Sequence, residues 1–109
     1  MSYRIELTAK FEKQSKRLSK KYPSVKSDLA KLGEELKENP TLGTPLGRNC
    51  FKIRMAITSK GKGKSGGARV ITHIYVAKTT VYLLSVYDKS EQGDIEDKEL
   101  DSLLSELPK

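Results

Sequence analysis

The sequence predicts an α+β fold: a short N-terminal strand, a two-helix hairpin, a three-stranded antiparallel meander and a C-terminal helix. Two observations carry this. Apolar residues recur every three or four positions near both ends of the chain, but alternate strictly with polar ones in "FKIRMAI", Phe51–Ile57. The segments between the alternating runs are short and polar, which favours antiparallel neighbours with the helices on one face of the sheet. With 109 residues, no internal repeat and no interdomain linker, residues 1–109 read as one domain. A chain of this size buries roughly 65% of its unfolded surface and folds without staples.

Each element has its own signal. Tyr3-Arg4-Ile5-Glu6-Leu7 alternates and predicts a strand. Thr8 caps a helix in which Phe11, Leu18 and Tyr22 share a face, opposite a lysine array from Lys10 to Lys21. Pro23 interrupts, and Val25, Leu29, Leu32 and Leu36 form the stripe of a second helix, Ser24 to about Glu38, which Asn39-Pro40 ends. "NPTLGTPLGRN" reads as loop. Phe51–Ile57, Ala68–Val76 and Thr80–Tyr87 are the three strands of the meander, the last two rich in Val, Ile, Thr and Tyr. Asp94 caps a final helix whose buried stripe is Ile95, Leu103, Leu104 and Leu107.

Charge is distributed unevenly. Residues 40–90 hold nine Lys/Arg against one Asp/Glu, whereas residues 91–109 hold two against seven. Solubility charge mixes both signs, so the nearly unmixed middle segment points to a polyanionic partner, and nucleic acid is the foremost one. The acidic segment Glu91–Glu106 reads either as a solvated amphipathic helix or as a tail lying over the basic face. Cys50 is the only cysteine, so no internal disulfide forms, and the N-terminus lacks the apolar core of a signal peptide. A cytoplasmic location is expected.

"TSKGKGKSGGARV" contains Gly63-Lys64-Ser65, the ending of a phosphate-binding P-loop. That loop needs an earlier glycine where Thr58 stands, and a helix where "GGARVITHIYV" reads as a strand. The stretch is instead the tip of a long hairpin, and Lys60, Lys62 and Lys64 make it either a mobile solvated loop or a basic finger that follows a phosphate backbone. One cysteine and one histidine leave no zinc site of ordinary spacing, and no cofactor is expected. There is no "GxSxG" and no carboxylate pair in the sheet region. His73 is a strand histidine with either a structural or a proton-transfer role.

Lys52 and Arg54 share a strand face, Arg69 begins the neighbouring strand, and Lys89 follows the third. Convergent cations stabilise the negative charge of a pentacoordinate phosphate transition state. Crowded cations disfavour one another's charged form, which marks Lys52 for proton exchange. The same four side chains also suit a nucleic-acid-binding surface without catalysis.

Across "CFKIRM", "SKGKGKSGGARVI" and "VYLLSVYDKSEQGDI" the sequence resembles the RelE/ParE superfamily of toxins from type II toxin–antitoxin systems, nearest its HigB-like branch. The resemblance covers nearly the whole chain. It implies a ribosome-dependent mRNA endoribonuclease that inhibits translation, working without metal by attack of a ribose 2′-OH on the adjacent phosphate. Its implied partners are the ribosome, mRNA and a cognate antitoxin. It implies Lys52 as general base, Arg54 and Arg69 as phosphate clamps and Lys89 as a source of charge or of the leaving group's proton. Ile95 stands where studied relatives carry a tyrosine, so Tyr87 or His73 is expected to take part of that role, with Tyr87 as a stacking partner for a base. The alternatives are a ParE-like inhibitor of DNA gyrase and a non-catalytic basic nucleic-acid-binding protein.

Overall fold

The computed structural model describes residues 2–108. Their order is β1 (Arg4–Leu7), α1 (Ala9–Lys21), α2 (Val25–Glu38), β2 (Thr44–Gly47), β3 (Cys50–Met55), β4 (Ala68–Tyr75), β5 (Thr80–Asp88) and α3 (Asp97–Ser105). The five strands form one sheet in the order β1-β5-β4-β3-β2. The expected meander β3-β4-β5 is its antiparallel centre, and β1 lies parallel to β5 along one edge. Among the described residues no helix is long and apolar enough to cross a membrane.

Thr8 caps α1 as its residue type predicts, its hydroxyl accepting from the Phe11 amide at 3.2 Å. Phe11 and Leu18 of α1 and Val25, Leu32 and Leu36 of α2 are buried against Ile53, Met55, Val70, Val81, Leu83 and Val86 of the sheet. Burying side chains of this size stabilises the fold by roughly 1.5–3 kcal/mol each before entropy is charged against it.

Three expectations are corrected. The Pro/Gly-rich loop contains β2, joined to β3 by a two-residue turn in which Arg48 and Asn49 both have positive φ, 54° and 59°. Only the mirror-image turn types match strand twist over two residues, and an arginine in that conformation gives little warning of one. The helices are not confined to one face. Leu100 and Leu103 of α3 pack with Cys50, Ile71, Leu84 and Tyr87 on the side of the sheet away from α1 and α2. The reason lies in β5, where every residue from Thr80 to Asp88 is buried; such a run marks a strand covered on both faces. Finally, α3 starts at Asp97 with Glu96 before it, so Asp94 belongs to the preceding loop.

The β3–β4 connection is more ordered than a glycine-rich finger. Thr58–Lys60 makes a 3₁₀ turn, and Asp28 of α2 accepts from the Thr58 amide at 3.0 Å, the Thr58 hydroxyl at 2.6 Å and the Ser24 hydroxyl at 2.8 Å. Burial works against the Asp28 charge, but these hydrogen bonds outweigh it and hold its carboxyl below the usual range. Gly67 closes the hairpin where no other residue fits, since a Cβ there would lie 2.2 Å from the Met55 carbonyl oxygen.

Candidate active site

α3 covers only part of its face of the sheet, and the cations occupy the remainder. Arg54 on β3 is the register partner of Arg69 on β4, and Arg69 is the partner of Tyr87 on β5. Register partners project to the same side, so antiparallel pairing alone gathers these residues, with Lys52 two positions along β3. Lys52, Arg54, Arg69, Tyr87, Lys89, Gly93 and Asp94 line one hollow of about 270 Å³. The four cations expected to converge do so.

They are not equivalent. Arg54 and Lys89 are exposed and free of ion pairs among the described residues. Arg69 is only 3% exposed, and its guanidinium donates to the carbonyls of Lys64 (3.0 Å), Ala68 (3.1 Å) and Ser65 (3.3 Å). It therefore braces the hairpin as well as charging the hollow. Lys52 donates to the Asp94 carboxylate at 2.9 Å. That bond first, then the nearby charges of Lys52, Lys89 and Arg69, hold the Asp94 carboxyl below its ordinary range. The spacing of residues gave no sign of Asp94 here; the only hint is its position beside Gly93, at the start of the acidic segment.

Tyr87 enters differently from its expected stacking role. It belongs to the apolar cluster of Leu84, Leu100 and Leu103 and is only 6% exposed, which argues against a base stacking on its ring. Tyr87 lines the hollow, and its hydroxyl is buried with no hydrogen-bond partner among the described residues. Burial first, then the Asp94 and Glu99 charges, raise its pKa against the opposing pull of Arg69 and a weak approach of the Ile95 backbone. At neutral pH it is therefore a proton donor.

Two expected contacts lie elsewhere. His73 is the register partner of Cys50, four residues along β4 from Arg69 and outside the hollow, with Nδ1 3.5 Å from the Cys50 sulfur. Burial lowers its pKa, offset in part by a backbone contact at Arg48, while burial pushes the Cys50 thiol up to about 11. Lys60 is not at the hairpin tip. Its ammonium turns inward to Asp88 at 2.8 Å and Ser90 at 3.2 Å, 5.4 Å above the Tyr22 ring. Lys62 and Lys64 remain exposed on the projecting part of the hairpin, and Ile95 sits beside the α3 cluster as an apolar anchor.

Comparison with known proteins matches residues 4–107 to the family described as RelE toxin of the RelE/RelB toxin–antitoxin system. Among solved structures, a double arginine-to-alanine mutant of E. coli toxin RelE in the free state superposes with a TM-score of 0.67 at 18% identity, covering 99% of this chain and 100% of that one. The toxin–antitoxin complex RelBE2 from Mycobacterium tuberculosis matches with a TM-score of 0.63 at 22% identity, over 81% of this chain and 99% of its counterpart. The intact E. coli RelBE toxin–antitoxin complex gives 0.63 at 22%, over 80% and 96%.

Proposed function

This chain belongs to the RelE family of toxins from toxin–antitoxin systems, and we propose that it acts as a ribosome-dependent endoribonuclease that cuts mRNA and stops translation. The observation that carries this reading is the gathering of Lys52, Arg54, Arg69 and Lys89 around one hollow, large enough for a phosphate with part of its nucleotide. A gyrase inhibitor has no use for such a cluster.

The reaction is an in-line displacement. The ribose 2′-oxygen bonds to phosphorus, the bond from phosphorus to the 5′-oxygen breaks, and the products are a 2′,3′-cyclic phosphate and a 5′-hydroxyl. One proton leaves the 2′-OH and one reaches the 5′-oxygen, so nothing else is consumed. Arg54 is the exposed clamp on the non-bridging oxygens, with the Arg69 guanidinium edge and the Tyr87 hydroxyl as further donors. Once the phosphate has displaced Asp94, Lys52 gives its own proton to solvent and, as the free amine, accepts the 2′-OH proton, while Lys89 protonates the leaving oxygen. Lys62, Lys64 and the lysine face of α1 hold ribosomal RNA. The partner is a cognate antitoxin, as the two solved toxin–antitoxin complexes suggest by their make-up.

The test is induction in a bacterial host, with 5′ ends mapped on one message in translated and untranslatable forms. Cuts within codons that need translation are expected from the wild type and absent from an Arg54→Ala variant. Intact message with inhibited supercoiling would transfer the protein to the gyrase class.

A further inference from the structure

A second concavity adjoins the hollow, and its position follows from where β2 ends. Pairing of β2 with β3 stops at Thr44 and Lys52, so the outer edge of β3 beyond Lys52 has no neighbouring strand. Between that edge and α2 runs a groove of about 450 Å³, within the roughly 300–1,000 Å³ typical of small-ligand sites. Lys52 and Arg54 line both the groove and the hollow, so the two adjoin along β3.

The groove is chemically suited to a nucleotide. Leu32, Leu42, Ile53 and Met55 give it an apolar floor, while Lys31 and Lys64 stand on its walls without an ion-pair partner among the described residues. Its two carboxylates count for less than their number suggests. Asp28 keeps its charge but is buried and turned toward Thr58 and Ser24, so Glu35 is the exposed carboxylate set against Lys31, Arg54 and Lys64, with Lys52 held by Asp94. An apolar floor between cationic lips accepts the flat face of a base with its phosphates alongside.

We propose that this groove seats a nucleotide flanking the scissile phosphate, with its base over Leu42 and its phosphate or sugar against Lys31. The proposal rests on the RNA-cleaving reading above, and an acidic peptide is the competing occupant. RNA is favoured because the groove and the hollow share Lys52 and Arg54, two cations that one strand passing over the β3 edge would contact in succession.

The probe is a tetraribonucleotide made uncleavable by a 2′-deoxy residue at its central linkage, titrated by fluorescence anisotropy at low salt. Lys31→Ala, on an exposed residue, leaves the fold unaltered, and Leu42→Ala is checked by circular dichroism. Each is expected to weaken binding about fivefold, or ~1 kcal/mol. Removing the base on one side of the deoxy linkage should weaken wild-type binding equally, yet cost the Leu42→Ala variant nothing further. Unchanged binding in both variants, with Arg54→Ala still impaired, overturns the subsite alone. Unchanged binding in all three variants overturns the RNA reading as well. Protection of Leu42, Gly43 and Thr44 amides by an acidic peptide but not by the oligonucleotide assigns the groove to a protein partner and overturns the proposal.

Discussion

Arg69 and Arg54 face each other across the sheet, yet their loss should have different consequences. Arg54 is exposed on an outward-facing strand position, so Arg54→Ala should change stability by less than about 0.5 kcal/mol while abolishing cleavage. Arg69→Ala removes a buried group that donates to three carbonyl oxygens, of which the Lys64 carbonyl keeps the Gly67 amide, a loss of roughly 1–3 kcal/mol. Urea unfolding of the two variants side by side checks this, and equal midpoints would mean the hairpin does not rely on the guanidinium. The sequence placed both arginines on one face but gave no reason to expect one of them buried, since carbonyls from a glycine-rich turn leave no residue-type signal. Asp94 was equally hidden. It is 82% exposed and can swing away, and its depressed pKa makes it a poor proton acceptor but a strong rival to phosphate for Lys52. Asp94→Asn should therefore raise kcat/KM about two- to fivefold, the worth of an exposed ion pair. Because the Asp94 carboxyl lies below its ordinary range, it stays charged from about pH 5 to 8, and the gain should be constant over that interval. A drop in rate, falling with pH as a base titrates, would show Asp94 to be the proton acceptor instead.

At the level of elements, the 3₁₀ turn and the end of β5 are joined by one buried ion pair. Asp88 accepts from Lys60 at 2.8 Å, the Ser90 hydroxyl at 2.8 Å, the Ser90 amide at 3.0 Å and the Tyr22 hydroxyl at 3.0 Å. Burial alone would raise the Asp88 pKa, but these contacts reverse that and hold it far below the usual carboxylate range. Lys60→Met leaves a buried carboxylate without its cation and should cost about 3 kcal/mol at neutral pH, the lower end for a broken buried pair because three donors remain. The folded-state pKa of Asp88 is depressed, so its stabilisation is complete above the unfolded value near 4 and fades as pH falls below it. The gap between wild type and variant should narrow along that acid limb, measured by thermal unfolding from about pH 7 down to 3; a gap independent of pH would place the loss in packing. This pair also explains why the hairpin was misjudged. Local composition describes a flexible basic finger, whereas Lys60 and Asp88, twenty-eight residues apart, meet only after the sheet has formed. The helices, the meander and the facing cations were legible because each rests on a short period in the chain. β2 and the docking face of α3 were not, because they rest on a positive-φ turn and on which side of β5 remained uncovered.

Across the whole molecule, the net charge of +7 is organised by folding rather than spread over it. The acidic segment is solvated but partly paired with the basic surface: Glu91 reaches Lys21 at 2.8 Å and Arg17 at 3.7 Å, Asp94 reaches Lys52, and Asp101 pairs with Arg48. These contacts temper the basic surface near the hollow and at the end of α1. Lys13, Lys16 and Lys20 on α1 and Lys62 and Lys64 on the hairpin have no such partners among the described residues. Long-range attraction to ribosomal RNA therefore falls chiefly to these unpaired lysines. Each lysine that neutralises a phosphate contributes about 0.7 to 0.9 to the slope of log affinity against log salt. A Lys62→Ala, Lys64→Ala double variant should lose about 1.4 to 1.8 from that slope, while its unfolding midpoint is unchanged because both side chains are exposed. Adding Lys60→Met should lower stability without flattening the slope further, since that ammonium is already committed to Asp88. Ribosome binding measured from about 50 to 300 mM salt separates the two effects. A triple variant with a slope clearly shallower than the double would mean that Lys60 leaves Asp88 on the ribosome, and that the hairpin opens when it binds.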